Sequence, residues 1–196
     1  MSFRRCLVNI APVESPGMPS TKRRTTAPAK PRVSLPRILR GIRLFATDVD
    51  GVLTDAGMYY SESGDEWKKF HTRDGMGIKL LQKAGLITAI ITQESTKMVM
   101  RRAQKLTIPE VHQGAYDKLT VLNDLIARYG LTMEQVAYIG DDVNDLQALG
   151  AVGFSACPAD GIPQVQQTVR YICKKKGGEG AVREIADLIL EAQQPR

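Results

Sequence analysis

From Ile42 onward, short apolar runs alternate with segments whose apolar residues recur every three to four positions. The runs IRLFAT, LITAIIT, VH and VAYI read as buried strands. Between them lie helical periods. In DGMGIKLLQKAG, Ile78, Leu81 and Ala84 share one face; in STKMVMRRAQKL, Met98, Val99, Ala103 and Leu106 do so behind a Ser cap. DKLTVLNDLIARYG is amphipathic through Leu119, Leu122, Leu125, Ile126 and Tyr129, and Thr132 and Gln135 have capping-box spacing. LQALGAVGFSA and IPQVQQTVRYIC predict a further helix, strand and helix, and AVREIADLILEAQ a closing amphipathic helix. AGMYYSESGDEWKKF alternates about Ser63–Gly64–Asp65, which predicts a short β-hairpin. Strands that alternate with helices predict an α/β fold: a doubly wound, Rossmann-like parallel sheet covered on both faces.

The 196 residues suit one domain and a tail. No apolar run approaches the roughly 18–20 residues of a membrane span, so no membrane partner is expected. Cys6, Cys157 and Cys173 form no CxxC pair, which argues against a zinc site or a disulfide framework and fits a reducing cytoplasm. The net charge of +6 is unevenly spread. Residues 1–43 hold ten Lys/Arg and one Glu, and the remainder 17 Lys/Arg and 20 Asp/Glu, so the basicity belongs to the tail. Six of the ten prolines also lie there. The expected organisation is a disordered, basic, Pro-rich tail over 1–40 and a domain over 41–196. A transit peptide has similar composition. A basic arm can also bind nucleic acid, but no aromatic residues interleave these cations, and a nucleic-acid partner is not expected.

The chemistry gathers at the strand ends. LFATDVDGVLTD ends an apolar run in Asp48 and Asp50, and carboxylates at i and i+2 of an extended chain face the same way. The next strand ends in Thr92, a helix begins near Lys118, and a later strand ends in Gly140-Asp141-Asp142-Val143-Asn144-Asp145. In a parallel sheet these groups meet at one rim. Packed carboxylates require a cation, and hard oxygen donors suit Mg²⁺. Lys and Thr beside such a site suit a phosphoryl group. Asp48 is then the candidate nucleophile, forming an aspartyl-phosphate, and Asp50 the acid/base that protonates the leaving alcohol and later activates water.

In this order, DVDGVLTD, the strand ending in Thr92, Lys118 and GDDVND resemble the motifs of the haloacid dehalogenase-like phosphatases. The resemblance implies that Asp48 attacks, Asp50 is acid/base, and Thr92 and Lys118 hold the phosphoryl group. It also implies that Asp48, the main-chain oxygen of Asp50, and Asp141 hold Mg²⁺, with Asp145 in support. Only 41 residues separate Asp50 from Thr92 and 25 separate Thr92 from Lys118, too few for a lid domain. A neighbouring subunit is expected to close the site, and a homotetramer is expected.

Over about 150 residues, GDEWKKFHTRDGMGIKLL, VHQGAYDK, VAYIGDDVNDL and GGEGAVREI resemble the 3-deoxy-D-manno-octulosonate 8-phosphate phosphatase family. The family works on 2-keto-3-deoxy sugar acid phosphates, without a lid and as a tetramer. Its substrate loop maps onto His71, Thr72, Arg73, Asp74 and Gly75, and Lys79 and Arg102 match basic substrate positions. Where the family has Thr-Gly-Arg, this chain reads Thr92-Gln93-Glu94; a glutamate at this place, together with the EWKKF run, resembles close relatives acting on nine-carbon acids such as 2-keto-3-deoxynononate or N-acylneuraminate 9-phosphates. Glu94 therefore joins the substrate residues. The expected function is an Mg²⁺-dependent phosphatase for the eight-carbon acid, with the nine-carbon acids as the alternative. A non-catalytic sugar-phosphate-binding subunit is the alternative of another class, against which the complete catalytic set argues. Asp142 and Asn144 are read as shaping their loop, His112 as a strand residue and Trp67 as a subunit contact. Gly177–Gly180 is read as a flexible segment approaching a neighbour's active site.

Overall fold

The structure is a computed structural model that describes residues 34–194. Six parallel strands form the central sheet: β1 (Leu44–Thr47), β4 (Ile87–Ile91), β5 (Glu110–His112), β6 (Val136–Ile139), β7 (Phe154–Cys157) and β8 (Tyr171–Ile172), in the order β5-β4-β1-β6-β7-β8. Helices α2 (Thr72–Lys83), α3 (Lys97–Leu106) and α7 (Ala181–Gln193) cover one face together with α1 (Leu35–Gly41). On the other face lie α4 (Lys118–Tyr129), α5 (Leu146–Ala151) and α6 (Pro163–Thr168). Alternation along β1 explains both layers. Phe45 points into the first core, and Leu44 and Ala46 point into the second.

The order reverses at β1, whose neighbours are β4 on one side and β6 on the other. A parallel sheet opens a crevice beyond its carboxyl ends at such a switch point. The hairpin forms as expected. Strands β2 (Tyr59–Tyr60) and β3 (Glu66–Trp67) pair antiparallel around Gly64, whose φ of +86° favours glycine. It returns to the domain through a bridge between Thr54 and Phe70.

Several expectations shift. Residues 35–40 belong to the domain and not to the tail. Pro36 sits in the first turn of α1, Leu39 is buried, and Gln193 Nε2 donates to the carbonyls of Leu39 and Ile42 at 3.2 and 2.9 Å. The rest of the expected tail, and Cys6, lie outside the described residues. Ala84 ends α2 exposed, off the apolar face. The cap of α3 is Thr96 rather than Ser95, accepting from the Val99 N–H at 3.3 Å. Residues 171–172 leave helical periodicity for edge strand β8, because the chain turns extended at Val169. His112 is a strand residue with Nε2 3.0 Å from Glu110 Oε2. Cys157 and Cys173 are buried free thiols. Among the described residues no helix is long and apolar enough to cross a membrane.

Candidate active site

The loops after β1, β4 and β6 enclose a cleft of about 750 Å³ lined by Asp48, Asp50, Thr92, Glu94, Asp141 and Asn144, among others. Asp48 follows β1 directly; its amide donates to the Ile139 carbonyl at 3.0 Å, which ties the loop to β6. Asp48 Oδ1 accepts from the Val49 N–H at 2.7 Å, and Oδ2 lies 2.7 Å from Lys118 Nζ. Lys118 is placed by Asp117, which caps α4 by accepting from the Thr120 N–H at 3.0 Å. The same ammonium lies 2.7 Å from Asp145 Oδ1, so one buried cation serves two buried carboxylates.

Asp145 is fully engaged. Its Oδ1 also accepts from the Tyr138 hydroxyl at 2.5 Å, and its Oδ2 accepts from the amides of Asp141 and Asp142 at 3.0 and 3.3 Å. It holds the loop after β6. Asp142 shapes the same loop by accepting from the Val143 N–H, and Asn144 reaches Gln93 at 3.5 Å. Gly51, at φ +77°, lets the two acidic loops touch: a Cβ there would lie 2.0 Å from Asp141 Oδ2.

Carboxylate oxygens of Asp48, Asp141 and Asp145 lie within 4.8 Å of one another. Burial and the neighbouring Asp145 raise Asp48 to about 7 even against Lys118. Burial and the neighbouring Asp48 and Asp145 raise Asp141 to about 8. Burial pulls Lys118 down, but Asp48 and Asp145 outweigh it and hold the ammonium above its ordinary value. The cluster thus has more negative charge than one lysine can balance, in oxygen donors only. That donor set fits a hard divalent cation such as Mg²⁺.

Sequence profiles of the haloacid dehalogenase-like hydrolases match residues 86–185. The 3-deoxy-D-manno-octulosonate 8-phosphate phosphatase of Yersinia pestis is 44% identical over 152 residues, covering 78% of this chain and 81% of that one. This chain belongs to that phosphatase family. Its Moraxella catarrhalis member, solved with magnesium, phosphate and 3-deoxy-D-manno-octulosonate, superposes with a TM-score of 0.79 at 44% identity, covering 81% of this chain and 91% of that one. A cobalt-bound member from Haemophilus influenzae gives a TM-score of 0.76 at 42% identity, with 80% and 91% coverage.

Within one chain, the family's substrate loop is not brought to the cleft. His71 and Arg73 line a second groove of about 440 Å³, shared with Lys174, Lys175 and Arg183. Thr72 and Lys79 are exposed on α2. Two expected substrate residues are buried and do not line the cleft of their own chain. Asp74 is buried, and its oxygens accept from the amides of Gly180 and Arg183 at 3.2 and 2.8 Å, fastening the start of α7. Gly75 is buried where a Cβ would lie 2.5 Å from Arg102 Nη2. Within its own chain Arg102 donates from Nη2 to the His71 carbonyl at 3.0 Å and stands 5.5 Å over the Phe70 ring, while its Nε has no partner among the described residues.

The expected flexible glycine segment is also corrected. Gly177, Gly178 and Gly180 are buried, and Gly178 donates to the Val52 carbonyl at 3.0 Å, so the segment lies against its own chain's loop after β1. The sequence reading missed Lys68, Tyr138 and this brace. Tyr138 could have been found from strand alternation, since it faces the same side as Leu44 and Ala46. Lys68 lies in the EWKKF run, but nothing in that run distinguishes it from Lys69.

Proposed function

We propose that this chain hydrolyses 3-deoxy-D-manno-octulosonate 8-phosphate to the free sugar acid and inorganic phosphate, with Mg²⁺, in two steps. The observation that carries it is the meeting of Asp48, Asp50, Thr92, Lys118 and Asp141 at one sheet rim in a chain so similar to phosphatases of that substrate. The Asp48 carboxylate attacks phosphorus, and the bond to the sugar oxygen breaks as Asp50 donates its proton to that oxygen. Asp50, now ionised, takes a proton from the water that attacks the aspartyl-phosphate, and phosphate departs. Lys118 and the Thr92 hydroxyl donate to the phosphoryl oxygens. Asp48, the main-chain oxygen of Asp50, and Asp141 would hold Mg²⁺, which when bound offsets the phosphoryl charge.

The test is phosphate release with Mg²⁺ from the eight-carbon 8-phosphate and the nine-carbon 9-phosphate side by side. Faster turnover of the eight-carbon ester is the expected result and places the chain in lipopolysaccharide sugar synthesis. Faster turnover of the nine-carbon ester would make Glu94 a specificity residue and move the chain to sialic-acid-like metabolism.

The acidic cluster carries a pH signature. Asp48 and Asp141 stand at about 7 and about 8 against an ordinary value of 3.8. Between those values the folded state keeps protons that the unfolded chain has shed, so the metal-free protein loses stability as pH rises through that window. Mg²⁺ replaces the protons. Thermal melts should therefore show Mg²⁺ stabilising the protein more at about pH 8 than at about pH 5.5, by up to about 3 kcal/mol at a hundredfold excess over Kd. Equal stabilisation at both pH values would show that the cluster does not take the cation.

The chain lacks room for a lid, and its hairpin exposes Met58, Tyr59, Tyr60 and Trp67, the last at 59%. We place this apolar face against another copy, in a homotetramer. Sedimentation equilibrium should give four times the 21.6 kDa chain mass, and Trp67→Asp should shift the protein to smaller species. A monomeric wild type would end this reading.

A further inference from the structure

Lys68 follows β3 on the hairpin, and its side chain is 1% exposed. Its Nζ lies 2.5 Å from Asp50 Oδ1 and 2.6 Å from Glu94 Oε2, carboxylates from the loops after β1 and β4. Lys69 does otherwise: its Nζ lies 2.8 Å from Asp55 Oδ2, which also accepts from the Tyr59 hydroxyl at 2.7 Å. The Thr54–Phe70 bridge sets this register, so adjacent lysines take opposite sides of the flap. Lys69 fastens the hairpin outside, and Lys68 enters the site.

Closing the flap does not require a buried ammonium, since desolvating charges costs several kcal/mol each and an apolar contact would serve. The detail lies at Asp50. Its Oδ1 takes Lys68 Nζ and, at 3.5 Å, the Thr54 hydroxyl. Both of its side-chain hydrogen bonds among the described residues fall on Oδ1, and none on Oδ2. We propose that Lys68 is a positioning residue for the acid/base: it occupies Oδ1 and so leaves Oδ2 as the oxygen that passes the proton to the leaving alcohol and takes it back from water. Glu94 anchors the ammonium from the far side, which keeps it from swinging into solvent. Lys68 therefore acts through Asp50 and does not touch phosphorus. The inference rests on the two-carboxylate reading of the site.

The test separates leaving groups. A sugar alkoxide needs a proton as it leaves; p-nitrophenolate does not. With Lys68→Met, kcat on the better sugar acid phosphate should fall about 10²-fold, the low end for losing a general acid, and on p-nitrophenyl phosphate by about 3-fold or less. Circular dichroism and melting controls accompany both measurements, and Lys68→Gln carries the same test where Lys68→Met does not fold. Equal losses on the two esters would show that Lys68 only closes the flap, and no loss on the sugar ester would show that it does not orient Asp50; either result overturns the proposal. Failure of the underlying reading looks different: Asp48→Asn would then keep its turnover on both esters.

Discussion

Asp48→Asn should lower phosphate release by at least about 10⁴-fold and leave the fold intact. The loss is that of a nucleophile: an amide cannot form the aspartyl-phosphate, and the residual rate comes from binding and the surrounding donors. The fold survives because the substitution trades one unfavourable effect for another. Asn loses the 2.7 Å ion pair with Lys118 but also removes the charge that Asp145 and Asp141 repel. Lys118 keeps Asp145 as its partner. A melting temperature within a few degrees of wild type, with phosphate release at the detection limit, is the expected pair of results. Undiminished turnover would falsify the covalent mechanism. A collapsed melting temperature would instead make Asp48 chiefly a structural anchor.

The second large effect lies outside the cleft. Gly177→Ala should destabilise the protein by about 3 kcal/mol and lower kcat by more than about 10-fold. A Cβ on Gly177 would lie 1.9 Å from the Gly51 carbonyl oxygen, 2.5 Å from its carbon and 2.9 Å from the Thr54 oxygen. These are main-chain atoms that cannot rotate away, so the loop carrying Asp50 or the segment behind it must shift. That segment is held on both sides: Gly177 donates to Asp160 at 3.0 Å, and Gly180 donates to Asp74 at 3.2 Å. Any displacement is therefore directed into the catalytic loop. Gly150→Ala is the matched control, since nothing lies within 4 Å of its Cβ position and alanine favours the helix by up to about 1 kcal/mol. Calorimetric melts and initial rates on both variants decide the matter. A Gly177→Ala enzyme that melts and turns over like wild type would remove the brace from the account.

The strands were legible because each is a compact apolar run with polar ends, and the helices because their apolar faces recur. The hairpin was legible from Gly64 between alternating segments. Boundaries failed where local sequence was ambiguous. Leu35, Ile38 and Leu39 sit in a basic, proline-rich stretch, and only the apolar surface of α7 makes a helix there worthwhile. Residues 171–172 continue an apolar pattern that fits helix or strand, and hydrogen bonding to β7 decides it.

The candidate site divides in the same way. By itself the sequence determined the candidate reagents: two aspartates at a strand end, a threonine, a lysine and a third acidic loop, ordered so that a parallel sheet must collect them at one rim. That inference needs only strand direction and the period of two. Tertiary structure alone decided which partners each of these groups meets. It set Asp74 against the start of α7 and Arg102 against the start of α2, committed both Asp145 oxygens to neighbouring donors, and turned the glycine segment inward as a brace. It also brought Lys68 onto Asp50 across 18 positions of sequence. Such partnerships depend on which faces pack and which oxygens are already satisfied, and those are set by the closing of the fold, not by the spacing of residues along the chain.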